Sequence, residues 1–75
     1  MNNQRRRKLK EWVVKAQGLK SELESIVMEE EMAFENMPEG LQATMNGMNS
    51  EEAIDKLNEA IECVEEAIDC VNEIV

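Results

Sequence analysis

Apolar residues recur every three or four positions along the first half of the chain, which is the spacing of one face of an α-helix. The stripe stops before Pro38, because the residue preceding a proline is disfavoured in the helical conformation. The pattern predicts a first helix that starts near Asn3. Its apolar part covers residues 9–36, and residues 1–8 form a basic N-terminal extension. The residues of the stripe are Leu9, Trp12, Val13, Ala16, Leu19, Leu23, Ile26, Val27, Ala33, Phe34 and Met37.

The last third of the chain carries a seven-residue repeat, AIDKLNEAIECVEEAIDCVNEIV, from Ala53 to Val75. Its apolar positions a and d predict a second helix over residues 51–74. Asn49 or Ser50 is the expected N-cap, and Asn49 with Glu52 has the spacing of a capping box. The a positions are Ile54, Ile61, Ile68 and Val75, and the d positions are Leu57, Val64 and Val71.

Residues 37–50 form the linker, where Pro38 suits the first turn of one short helical segment. Two amphipathic helices joined by a short connection fold back antiparallel, because each must bury its apolar stripe. The chain is therefore predicted to be a single all-α domain over residues 1–75, an antiparallel two-helix hairpin with a short helical segment in the linker. Matching the helix ends across the linker places Trp12 near Val75.

The second helix has more apolar circumference than one neighbouring helix covers. Positions c, g, d and a together span about 160° at 100° per residue. A domain of this size has a core worth only about 3–5 kcal/mol, so it often relies on a partner chain. The hairpin is expected to assemble into a four-helix bundle as a homodimer, with a trimer, a tetramer or a monomer as alternatives. The predicted oligomer interface consists of Ala60, Cys63, Ala67, Cys70 and Ile74.

Charge is distributed unevenly along the chain. The net charge is −9, yet seven of the eight basic residues lie within the first twenty positions. The outer face of the second helix is acidic, and two interpretations remain open for it: a solvated surface, or an anionic ridge that binds a basic protein surface or mimics nucleic acid. If the face is a binding surface, its predicted contact residues are Asp55, Glu59, Glu62, Glu66, Asp69 and Glu73.

The basic run Arg5, Arg6, Arg7 and Lys8 has three interpretations. It can pair with the negative end of the second helix. It can hold the phosphates of a nucleic acid or a nucleotide ligand. It can also lie on an anionic membrane with Trp12 as an anchor, although the strongly acidic remainder of the chain argues against a membrane partner.

The composition argues against catalysis, since the chain contains no His and no Tyr. Cys63 and Cys70 would lie about 10 Å apart on one helix, beyond disulfide reach. Unpaired cysteines, together with the lack of an apolar signal-like segment near Met1, favour a reducing, cytoplasmic setting. No apolar run approaches the length that spans a membrane. No cofactor is expected.

Two acidic pairs in the second predicted helix have the spacing of the magnesium ligands of one enzyme family. The all-α NTP pyrophosphatases bind magnesium through an ExxE pair and an ExxD pair on separate helices. Here Glu59 and Glu62 form ExxE, and Glu66 and Asp69 form ExxD, but both pairs lie on one helix. We therefore expect neither an enzyme nor a metal site.

One stretch resembles a known group of proteins. EEEMAFENMPEGLQ, from Glu29 to Gln42, follows a basic N-terminus and precedes an acidic heptad helix. It is similar to the linker of small helical proteins encoded by phages and prophages of Gram-positive bacteria. The matching positions are Phe34, Asn36, Pro38, Glu39, Leu41 and Gln42.

The resemblance implies an accessory protein of a mobile element, a setting in which inhibitors of host defence are common. The leading hypothesis is a protein in the host cytoplasm that binds a host or phage protein through its acidic face. The alternatives are a nucleotide or nucleic-acid binder that uses the basic run, and a purely structural component of an assembly.

Overall fold

Three helices account for most of the chain. The computed structural model describes the backbone of residues 1–75 and every side chain except that of Asn46. The helices are α1 (Asn3–Glu35), α2 (Glu39–Gln42) and α3 (Met45–Asn72). The described backbone contains no strand. The prediction of an all-α chain, with two long helices and a short helical segment between them, is confirmed.

The first helix begins within the basic run. Asn2 is its N-cap, and the Asn2 side chain accepts a hydrogen bond from the Arg5 N–H at 2.8 Å. Residues 1–8, predicted as an extension, therefore belong mostly to α1. At the other end the Asn36 N–H donates to the Met32 carbonyl at 3.0 Å, and the helix ends at Glu35, three residues before Pro38, as the proline predicts.

The third helix begins earlier than the predicted range of 51–74. Its N-cap is Thr44, so the expected cap at Asn49 or Ser50 is wrong, because both residues lie inside the helix. The reason is a close packing contact between α2 and the first turn of α3. Gly47 is buried, and a Cβ there would lie only 2.2 Å from the Gln42 carbonyl oxygen. Only glycine fits this approach without a backbone shift.

The early start of α3 moves the register of the hairpin. Lys20 Nζ lies 2.9 Å from Glu65 Oε1, so the two long helices run antiparallel with these residues side by side. Val75 lines an open pocket with Arg6 and Arg7 of the basic run, whereas Trp12 lines a pocket with Cys63 and Ala67. The end of the chain thus lies at the basic run, further toward the N-terminus of α1 than Trp12, with which the sequence had matched it. Because α3 starts sooner, it extends further along α1 and reaches the basic run.

The core is small and confined to one side of α1. Val13, Ala16 and Ile68 are buried together, with Val64 and Val71 packed against them. The remaining a and d residues of α3 are half-buried. The whole molecule measures 58 × 14 × 12 Å, so it is a rod two helices wide. Such a rod has room for one apolar seam between its helices and leaves most other positions in contact with solvent.

The apolar stripe of α1 is wider than the seam. Trp12 is 41% exposed, Leu19 59% and Ile26 48%, and these three residues are spaced seven apart. They lie on the flank of the stripe that α3 does not cover. The sequence predicted them as core residues on the basis of helical periodicity, and in the single hairpin they are surface residues.

Candidate protein-interaction surfaces

The linker is organised around one amide side chain. Gln42 Nε2 donates hydrogen bonds to the carbonyl oxygens of Phe34 at 3.1 Å and Met37 at 3.3 Å. The Phe34 carbonyl belongs to the last turn of α1, where intrahelical donors run out, and the Met37 carbonyl follows the helix directly after its C-cap. Pro38 directly precedes α2, and its carbonyl accepts from the Gln42 N–H at 3.2 Å.

The other linker residues of the predicted motif are simpler. Asn36 is the C-cap of α1, and Glu39 opens α2, where its negative charge suits the positive helix end. The structure thus gives the motif a structural role: Gln42 and Pro38 fix the connection between the helices.

A buried hydroxyl completes this end of the hairpin. Ser50 is 6% exposed and donates a hydrogen bond to the Glu30 carboxylate across the two long helices. Glu30 lies on the apolar stripe of α1, and a carboxylate in that position needs a partner when it leaves water. Ser50 supplies the partner, and the half-buried position of Glu30 keeps part of the carboxylate hydrated.

Six acidic side chains form what we call the acidic ridge. All of them are exposed on α3, and among the described side chains the only ion pair that includes one of them joins Glu59 to Lys56 at 3.2 Å. Like charges three or four residues apart on a helix destabilise it by about 0.2–0.5 kcal/mol per pair. The ridge therefore carries negative charge that the chain itself leaves largely uncompensated. Its members are Asp55, Glu59, Glu62, Glu66, Asp69 and Glu73.

One lysine links the two long helices. The hydrogen bond from Lys20 to Glu65 raises the pKa of Lys20 above 10.5, and the nearby charges of Glu65, Glu24 and Asp69 act in the same direction. Partial desolvation opposes this rise without reversing it. Among the described side chains, the ion pair that joins α1 to α3 is the one between Lys20 and Glu65.

The basic run is divided between two faces of α1. Arg6 and Arg7 line a shallow open pocket with Asn3, Lys10 and the end of the chain at Ile74 and Val75. Successive helical residues are rotated by about 100°, so neighbours in the run point to different sides.

The other two members of the run face an apolar surface. Arg5 and Lys8 flank a second open pocket that includes Leu9 and Trp12. Among the described side chains no ion pair includes any member of the run. Arg6 and Arg7 thus lie beside the C-terminal end of α3, the position that the first of the predicted alternatives gave them, without an ion pair to it among the described side chains.

A shallow groove of about 410 Å³ lies between the two long helices on the uncovered flank of α1. Trp12 and Leu19 form one wall, and Cys63 and Ala67 form the other. We call the surface that contains this groove the apolar face. The residues predicted as an oligomer interface lie on it: Ala60 is half-buried, and Cys63, Ala67, Cys70 and Ile74 are exposed.

The exposure of Trp12, Leu19 and Ile26 on the apolar face was not predicted from the sequence. Their seven-residue spacing was available as a signal, but the register of α3 decides which flank of α1 stays uncovered.

Two further observations concern chemistry and membranes. Within the described part of the chain, no three Cys, Asp or Glu side chains converge as metal ligands would. Among the same residues, no helix has both the length and the apolar character that crossing a membrane demands.

No protein-family model matches the chain, and searches of curated proteins and of solved structures found no match. The likeness to phage and prophage proteins thus depends on the linker residues alone.

Proposed function

We propose that this chain is a non-catalytic protein-binding module that presents the acidic ridge to a partner with a basic surface. The observation that carries the proposal is the uncompensated charge of the ridge. Its carboxylates extend over about 27 Å of helix, and Lys56 is the basic residue that pairs with them. A basic partner surface would relieve the mutual repulsion of these carboxylates and gain affinity from it.

The setting we propose is that of a phage or prophage accessory protein in the host cytoplasm. The linker resemblance supports this setting. In it, an acidic rod can inhibit a host defence protein by occupying a basic surface, including one that normally binds nucleic acid. Carboxylates repeated at about 6 Å along a helix offer an approximate substitute for backbone phosphates.

The proposed scaffold is a homo-oligomer, with a dimeric four-helix bundle as the simplest form. Trp12, Leu19 and Ile26 leave large apolar surfaces exposed, and burying them in a second copy would be favourable. Positions c and g of α3 belong to the apolar face, whereas the ridge residues occupy positions b and f. Self-association and ridge binding would therefore use different faces of α3, about 100° apart around the helix.

The test compares two variants with equal net charge in affinity capture from host extract. In the ridge variant, Glu59, Glu62, Glu66 and Asp69 are replaced by lysine. In the control, Glu31, Glu35, Glu39 and Glu51, which are exposed acids outside the ridge, are replaced instead.

We expect mass spectrometry to identify a protein that the wild type and the control retain and the ridge variant loses. Equal capture by the two variants would remove the ridge from the proposal. Absence of any captured protein would favour the alternative of a structural component of an assembly.

A second candidate function is phosphate binding, because Asn3, Arg6, Arg7 and Lys10 converge on one open pocket. Here the anion would be a nucleotide or a nucleic-acid phosphate. Thermal-shift measurements with nucleotides, and gel shifts at several salt concentrations, distinguish this function. Phosphate contacts weaken steeply with salt, and Arg6→Glu with Lys10→Glu should abolish them while Glu59→Lys should not.

A further inference from the structure

We propose that two copies of this chain associate antiparallel through the exposed flank of α1, with the linker end of each hairpin beside the open end of the other. The inference rests on the self-association in the proposed function and adds its orientation. It depends on the order of charged and apolar residues along the apolar face, together with their exposure.

The apolar residues of this flank are symmetric about one position. Trp12 and Ile26 each lie seven residues from Leu19, and all three are exposed. If a two-fold axis passes at Leu19, the Leu19 side chains of the two copies meet, and Trp12 packs on the partner's Ile26. In a parallel arrangement each residue would meet its own equivalent along the whole flank.

The charged residues that border this flank specify the direction. Four charged residues are spaced seven apart: Lys8, Lys15, Glu22 and Glu29. The first three precede Trp12, Leu19 and Ile26 by four residues each, and the fourth precedes Ala33 in the same way. All four are exposed, and none takes part in the ion pairs of the described side chains.

These residues occupy the flanking position that sets partner choice and orientation in coiled coils. Antiparallel packing about Leu19 places Lys8 near the partner's Glu29 and Lys15 near the partner's Glu22. Parallel packing would place these four residues of the two copies on opposite sides of the interface, so neither pair would form.

The ends of the rod support the same axis. A two-fold axis at Leu19 also brings Arg5 and Lys8, the members of the basic run that flank Trp12, to the linker end of the partner, where the partner's Glu29 is exposed. Opposite charges then meet at both ends of the bundle, although each copy carries −9 overall.

The first experiment measures orientation by the distance between nitroxide spin labels. Cys63 and Cys70 are replaced by alanine, and one cysteine is introduced by Asn36→Cys or Ser21→Cys, both at exposed positions. Antiparallel packing about Leu19 separates the two labels at position 36 by about 50 Å along the rod. Position 21 is two residues from Leu19, so the separation of its two labels along the rod is small in both the antiparallel and the parallel arrangement. These labels serve as the control. A short distance at both positions would overturn the antiparallel orientation.

The second experiment measures the dimer dissociation constant of charge variants by sedimentation equilibrium. Lys8→Glu with Lys15→Glu should weaken association by at least about tenfold, because each attractive pair becomes repulsive. The control, Arg6→Glu with Lys10→Glu, changes the net charge equally but lies outside the flank and should have a smaller effect.

Adding Glu22→Lys and Glu29→Lys to the first pair should restore association, because the complementary order is recreated in reverse. Failure of this rescue would overturn the inference. A wild type that stays a single chain at all concentrations would overturn self-association itself, whereas the capture experiment on the acidic ridge would still stand.

Discussion

The two ends of the hairpin are held together by different kinds of interaction. At the linker end, Gln42 binds two carbonyls at and just after the end of α1, Ser50 donates to Glu30, and Gly47 packs directly on backbone. Toward the open end the contacts are apolar and centre on Val13 and Ile68. Hydrogen bonds and a glycine contact define the geometry of one end within a single chain. The apolar half leaves part of its stripe exposed to solvent.

The largest effect is expected in the apolar half. Ile68→Ala should lower the free energy of unfolding by about 2–4 kcal/mol, because it leaves a cavity beside Val13 and Ala16. Urea denaturation at one fixed protein concentration measures this loss. Val14→Ala, at a position 69% exposed, is the control and should change stability by less than about 0.5 kcal/mol. Similar losses in both variants would contradict the assigned core.

The next effect tests the linker end. Gly47→Ala should cost about 1–3 kcal/mol, because the new Cβ overlaps the Gln42 backbone. Gly18→Ala is the matched control, since its Cβ would meet nothing within 4 Å. The control should stabilise the protein by about 1 kcal/mol through helix propensity. If both glycine variants shifted the melting temperature in the same direction, the contact between α2 and α3 would be wrong.

A smaller and more local effect is expected for Gln42→Ala. Loss of its hydrogen bonds to Phe34 and Met37 should cost about 1 kcal/mol. Hydrogen exchange should accelerate at the amides of Asn36 and Met37 and stay unchanged near Val13. Gln17→Ala, at an exposed position of α1, provides the comparison. Uniform acceleration along α1 would show that Gln42 does not act locally.

The smallest effect concerns pH. Because its partner Glu65 raises the pKa of Lys20 above 10.5, Lys20 contributes stability that is fully present below pH 10.5. This contribution is lost as the pH rises through the raised pKa. The stability difference between the wild type and Lys20→Gln should therefore shrink in alkaline solution. Lys56→Gln, which breaks an ion pair within α3, is the comparison, and an equal pH response would argue against a special role for Lys20.

The helices themselves were predictable because their signals are local and repeated. The heptads of α3 correctly identified Ile68 as a residue that faces α1, and Pro38 correctly predicted the end of α1. The start of α3 was not predictable in the same way. Gly47 reads as a helix breaker in sequence, and what makes it suitable for the first turn is its contact with Gln42. Contacts between separate elements of this kind override local propensity.

The candidate surfaces show the same division. The acidic ridge was predicted from heptad positions, and its residues are exposed. The partner of Glu30 was not found, because Ser50 becomes its neighbour only through the register of the hairpin. Lys8, Lys15, Glu22 and Glu29 were visible in the sequence, yet their order acquires meaning only when the uncovered flank of α1 is known.

The length of the rod affects how the protein behaves on a gel-filtration column. The radius of gyration is 17.2 Å, whereas a compact chain of this length would have about 11 Å. Elution depends on hydrodynamic size, so one hairpin should elute where a considerably heavier globular protein does. An early elution volume is thus expected for one slender chain and does not determine the number of chains per particle.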